Sequence, residues 1–208
     1  MNKSIQKSMG TALTAIVLLS GLSACAPLMV GGAVMTGMVA VDRRTSGIQL
    51  EDEGIELRTA QGLRQNLGEN SHTNVTSYNR QVLLTGEVAT AAQKELADKV
   101  AQSQENVKAV ANELTVQPVS TLTQRSKDII ITGQLKALFV DAKDLQSYAF
   151  KIVTERGVVY LMGRVTSREA QRATDIARSV SGVTKVVRVL DIISEEELKR
   201  LSSQSSGK

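Results

Sequence analysis

Few side chains in this sequence are candidates for chemistry. Cys25 is its only cysteine, His72 its only histidine, and Glu195-Glu196-Glu197 a run of three carboxylates. A lone thiol cannot close a disulfide within the chain, whatever the redox compartment. One imidazole excludes a His-rich metal site and the common nucleophile–histidine triads. His72 sits in a polar stretch, Asn70-Ser71-His72-Thr73, that reads as a solvated loop. The glutamates read as the first turn of a short polar helix, Glu195–Leu201, where the helix dipole favours carboxylates. No Walker loop, dinucleotide fingerprint or nucleophile elbow occurs. The pattern therefore points to a protein that is not an enzyme and needs no cofactor or metal. Cys25 is the residue whose surroundings give it a use. Lys3 and Lys7 precede an apolar run from Ala12 to Leu22, and Ser23 and Ala24 lead into the cysteine. Positive charge, apolar core and small residues, in that order, make a bacterial secretory signal.

A leucine three residues before the cysteine, with small residues between, resembles a lipobox, the mark of bacterial lipoproteins. That resemblance implies removal of residues 1–24, a diacylglyceryl thioether on the Cys25 sulfur and an acyl chain on its new amino group. Ala26 stands where an Asp would favour retention in the inner membrane, so the expected destination is the periplasmic face of the outer membrane. Each buried methylene contributes about 0.8 kcal/mol, and three chains on one residue amount to permanent anchoring. From Ala26 to Val41 the chain stays apolar but contains Gly31, Gly32 and Gly37. Spanning a bilayer takes about 20 apolar residues. Residues 25–51 are therefore read as a lipidated tether and linker in or near the headgroup layer.

The elements that such an anchor would hold are legible from an internal repeat. Val82-Leu83-Leu84-Thr85-Gly86-Glu87-Val88 recurs 77 positions later as Val159-Tyr160-Leu161-Met162-Gly163-Arg164-Val165. Val107–Leu114 recurs as Val183–Leu190 at an offset of 76. Ahead of each strand pair lies an amphipathic stripe, Ile55, Thr59, Leu63 and Leu67 in one copy and Ile131, Leu135 and Phe139 in the other. This spacing predicts a helix with one apolar face, the first over about Asp52–Leu67. The hairpins turn near Asn79-Arg80 and at Arg156-Gly157. Thr90-x-x-Gln93 and Thr166-x-x-Glu169 are capping boxes. The helices they open present Ala92, Leu96 and Val100, and Ala170, Ala173, Ala177 and Val180, to the sheet. Gly86 and Gly163 mark the same strand position, where a missing side chain permits close approach. With two Phe, three Tyr and no Trp, the core must be built from Val, Leu, Ile and Ala.

The duplicated helix–strand–strand–helix–strand unit, with its strand glycine and Val-x-x-Val strand, resembles the BON domain of bacterial envelope proteins. Two copies behind a lipobox, with Asp42-Arg43-Arg44-Thr45 in the linker, resemble the dual BON-domain outer-membrane lipoproteins (DolP/YraP family). The resemblance implies an α+β fold of two tandem αββαβ domains, each a three-stranded sheet packed against two helices. It places the domains at residues 52–117 and 125–193, followed by a short helix and polar tail over 194–208. It also implies binding of anionic phospholipid of the phosphatidylglycerol type and support of outer-membrane integrity.

Charge separates the copies. Residues 52–117 hold 6 Lys/Arg and 9 Asp/Glu, a net of −3, whereas residues 125–193 hold 12 and 7, a net of +5. Aligned on the core stripes, Arg58, Gln61, Gln65 and Gly68 correspond to Ile130, Gly133, Ala137 and Val140. The second copy thus places apolar residues off its core stripe, where Ile129 and Ile130 stand near Lys127, Lys136 and Lys143. An apolar strip edged by ammonium groups fits an interfacial helix, and equally a face packed against the first domain. Nucleic acid is excluded as a partner despite a pI of about 9.3, because the aromatics that stack on bases are scarce. Two function classes remain: a module that binds anionic phospholipid, and a protein-interaction scaffold for envelope machinery such as the β-barrel assembly factors.

Overall fold

The computed structural model describes residues 42–68 and 70–205. The signal segment, Cys25 and the apolar tether lie outside the described residues. The observed architecture is α+β, two copies of αββαβ. The first copy comprises α1 (Ser46–Leu67), β1 (His72–Tyr78), β2 (Gln81–Val88), α2 (Ala91–Gln102), β3 (Ala109–Asn112) and β4 (Thr115–Val116). The second comprises α3 (Leu122–Asp141), β5 (Phe150–Glu155), β6 (Val158–Thr166), α4 (Ser167–Ser179) and β7 (Lys185–Ile193), and α5 (Glu195–Ser205) follows.

Each sheet has its β2 or β6 strand in the middle. The preceding strand pairs with it antiparallel through the hairpin, and the following strand returns parallel across a helix. β3 and β4 act as one interrupted strand along β2. The core stripes lie where the spacing put them: Ile55, Thr59, Leu63 and Leu67 are buried in α1, and Ile131, Leu135 and Phe139 in α3. Both capping boxes form, Thr90 with Gln93 and Thr166 with Glu169. A Cβ added at Gly86 would stand 2.0 Å from the His72 carbonyl oxygen, and one at Gly163 2.4 Å from that of Ala149. Glycine at both positions is therefore a packing requirement.

Four expectations need correction. α1 begins at Ser46, where the Thr45 hydroxyl accepts from the Ile48 amide, so part of the expected linker is helix. α2 turns Ala97 and Ala101 inward with half-buried Val100, while Ala92 and Leu96 face solvent. Alanines weigh little in a periodicity, which let the phase slip. α5 runs on to Ser205. His72 is no loop residue: it starts β1, pairs across the ladder with Glu87, and its Nδ1 lies 3.2 Å from a Glu87 carboxylate oxygen.

A buried aspartate in the first helix of each copy holds the hairpin turn. Asp52 accepts from the Asn79 and Arg80 amides at 2.8 and 2.7 Å. Asp128 accepts from the Arg156 and Gly157 amides at 2.9 and 2.8 Å. All four turn residues have positive φ, the conformation two-residue hairpin turns require, and each carboxylate fixes it by taking both amides.

The sheet faces away from the helices meet each other. Tyr78 and Leu83 of the first copy pack with Tyr160, Met162 and Val189 of the second in one buried cluster. Polar contacts surround it: Lys151 with Glu56 at 2.6 Å, Arg156 with Glu87 at 2.5 Å, and Asn79 with Asp191 at 3.0 Å. The Asp42-Arg43-Arg44 segment reaches both copies. Arg43 grips Glu169 through two bonds of 2.8 and 2.7 Å, and Arg44 binds Asp52 at 2.8 Å while stacking 4.2 Å over Tyr78.

Candidate functional site

α3 carries the residues singled out by sequence. The Thr121 hydroxyl accepts from the Gln124 amide and starts it. Its inner face, Asp128, Ile131, Leu135 and Phe139, is buried against β5, β6 and α4. With 3.6 residues per turn, Leu122, Ile129, Gly133 and Val140 fall on the opposite face, flanked by Ile130 and Ala137. All are exposed, Leu122 at 79%, Ile129 at 72%, Val140 at 69% and Ile130 at 59%. They are not covered by the first domain. Lys127 lies next to Ile130, three residues along the helix, and Lys136 two turns beyond Ile129; both are exposed. Among the described residues neither ammonium group has an ion pair. Lys143 stands apart: it lies beyond the end of α3 and lines a separate cleft with Arg43 and Arg168. Cys25 lies outside the described residues.

Two features escaped the sequence reading. Leu122 extends the apolar face by two turns, and its position just inside a Thr-capped helix start was the available signal. The register between the copies also needs correction. The matched aspartates, Asp52 and Asp128, set an offset of 76, one helical turn from the alignment expected. Ile129, Ile130, Ala137 and Val140 then correspond to Glu53, Gly54, Gln61 and Arg64, and Gly133 to the exposed Leu57. A charged-to-apolar change at Ile129 and at Val140 makes the contrast between the copies sharper than first aligned.

One flank of α3 borders a cleft of about 500 Å³ between the copies, lined by Ile129, Gly133 and Lys136 on the helix and by His72, Asn74 and Glu155 opposite. Polar groups in its walls bond to one another, Thr132 to Thr154 at 2.8 Å and Asn74 to Glu155 at 3.0 Å. Burial, and then the neighbouring Glu87 charge, push the Glu155 carboxyl above the usual carboxylate range. Burial opposes ionisation of Glu87 as well, but the Arg156 guanidinium and Ser120 outweigh it and hold Glu87 below that range. No described helix is long and apolar enough to cross a membrane. The α3 face presents exposed apolar side chains at its centre and ammonium groups at its margins.

Residues 52–118 and 127–194 each match the family model of the BON domain. The chain is 36% identical over 192 residues to the outer membrane lipoprotein DolP of Haemophilus influenzae, covering 91% of this chain and 97% of that one. It is 34% identical over 155 residues to the 21 kDa hemolysin of Actinobacillus pleuropneumoniae, covering 74% of this chain and 80% of that one. It is also 35% identical over 108 residues to the osmotically-inducible protein Y of Escherichia coli, covering 50% and 54% respectively.

Proposed function

The chain belongs to the dual BON-domain outer-membrane lipoproteins, and from that premise we propose that it is a non-catalytic module that docks on anionic phospholipid through α3. Cys25 supplies the lipid anchor at the periplasmic face of the outer membrane. The second domain then meets a bilayer to which the chain is already tied. Leu122, Ile129, Ile130 and Val140 enter the acyl boundary, Gly133 and Ala137 lie on the same face between them, and Lys127 and Lys136 meet phosphate. The observation that carries this reading is an exposed apolar stripe on the side of α3 opposite its core stripe, edged by unpaired ammonium groups.

The energetics favour this domain over its neighbour. Each Lys or Arg close to an anionic surface contributes roughly 1 kcal/mol, and the second copy carries a net +5 against −3 in the first. Apolar side chains that leave water for the headgroup boundary add a contribution that salt does not screen. Binding should therefore weaken with salt but persist at high ionic strength.

Flotation of the acyl-free protein with phosphatidylglycerol and with phosphatidylcholine vesicles tests the proposal. The protein should float with the anionic vesicles, and Ile130→Glu should abolish this while leaving the circular dichroism spectrum unchanged. Equal behaviour toward both vesicle types would instead assign the chain to the scaffold class, with envelope assembly machinery as its partner.

A further inference from the structure

We propose that His72, Glu87 and Glu155 form a divalent-cation site that joins the two domains. The imidazole comes from the start of β1, the two carboxylates from the end of β2 and the end of β5, so two ligands belong to the first domain and one to the second. Their ligand atoms all lie within 4.8 Å of one another. Donors about 2.0–2.2 Å from a tetrahedral ion stand roughly 3.4 Å apart, and the His72–Glu87 pair at 3.2 Å is already at that separation. A side-chain adjustment of Glu155 completes the set.

Burial makes these carboxylates different from an exposed acidic cluster. Glu87 is fully buried and Glu155 is 9% exposed. Buried carboxylates are ordinarily paired with a cation or bound to a metal. Glu87 has a cation, since Arg156 Nε donates to its Oε1 at 2.5 Å. That leaves Oε2 facing His72, with the Ser120 hydroxyl at 3.3 Å. Among the described residues Glu155 has no such cation; the neutral Asn74 amide donates to it at 3.0 Å. A second buried carboxylate thus stands beside the first without a positive charge of its own, at the wall of a cleft that gives an ion access from solvent.

The donor set selects the class of ion. One imidazole and two carboxylates suit Zn²⁺ and related first-row divalent ions, with a fourth position left to water on the cleft side. Arg156 and Asn74 are placed to orient the ligating carboxylates from behind. The Nδ1 nitrogen must be unprotonated to ligate, so binding releases any proton it holds. Because ligands come from both domains, an ion bound to the folded chain stabilises their joined arrangement by mass action.

Titration of ZnCl2 into the full-length protein, in a non-ionic detergent and a non-chelating buffer, should show one ion bound per chain by calorimetry. At about 100 times the Kd the ion should raise Tm by roughly 5–10 °C. Glu155→Gln keeps the Asn74 hydrogen bond and removes an unpaired buried charge, so its metal-free Tm should equal or exceed that of the parent. Its Zn²⁺ affinity should nevertheless fall at least about tenfold, the size of effect that loss of even an outer-sphere partner produces. His72→Ala should lose affinity likewise. An unchanged Tm and no binding heat for the parent would overturn the proposal, and so would undiminished Zn²⁺ binding by Glu155→Gln.

Discussion

At the residue scale, buried charge decides more than the apolar pattern reveals. Glu169 does two jobs: it closes the α4 capping box by accepting from the Thr166 amide at 2.9 Å, and it takes both arms of Arg43. Burial opposes its ionisation, yet Arg43 and Thr166 outweigh that and hold it below the usual glutamate range. A carboxylate with a depressed folded-state pKa contributes stability above its unfolded value, and loses it as pH falls through the folded value. Glu169→Gln leaves Arg43 buried without its counter-charge and should destabilise by about 3–5 kcal/mol at pH 7. The gap from the parent should shrink as pH drops below the ordinary glutamate range of about 4.3, as followed by urea unfolding at stepped pH. A gap that stays constant with pH would mean that Arg43 does not act on Glu169 through charge. The sequence showed the capping box but not Arg43, because a partner more than a hundred residues away leaves no local spacing. The Asp52 and Asp128 turn clamps were closer to legible: both recur at the repeat offset, ahead of each core stripe.

At the element scale, helices, hairpins and caps followed from periodicity and turn chemistry, since each depends on neighbours within a few residues. Where the reading slipped, the cause was physical. In α2, Leu96 and Ala97 are adjacent, and the phase that buries the larger side chain is the wrong one, since small Ala97 and Ala101 bring the helix close to the sheet. In α3 the outer face carries Gly133 mid-helix, and a Cβ there would meet nothing within 4 Å. Gly133→Ala should therefore stabilise the protein by about 0.5–1 kcal/mol through helix propensity and a less flexible unfolded chain, read as a rise in the urea midpoint at constant slope. The same variant should bind phosphatidylglycerol vesicles at least as well as the parent, because a methyl group adds apolar surface to the docking face. Weaker binding would mean that the glycine is needed for close approach rather than tolerated.

At the scale of the whole molecule, two domains that repeat one fold could have been independent beads, but their central strands exclude it. Val82-Leu83-Leu84 in β2 and Val158–Met162 in β6 are apolar without alternation, and such a run has to be buried on both faces. The helices cover Val82, Leu84 and Val88 in one sheet and Val159, Leu161 and Val165 in the other. Leu83, Tyr160 and Met162 point the other way and meet across the domain boundary. The sequence held this signal in its repeated strand, although it takes the partner sheet to show what covers the second face. Arg43 on the second domain and Arg44 on the first add a clasp where the tether ends. Heat should therefore unfold both domains in one calorimetric transition. Met162 is fully buried in the shared cluster and belongs to neither helix-facing core, so Met162→Glu places an unpaired charge at the joint and leaves each domain's own packing in place. Such a burial costs several kcal/mol, enough to separate the domains before either unfolds. The variant should melt in two steps, the parent in one, and a single unshifted transition in both would show that the sheet-to-sheet contact does not couple them.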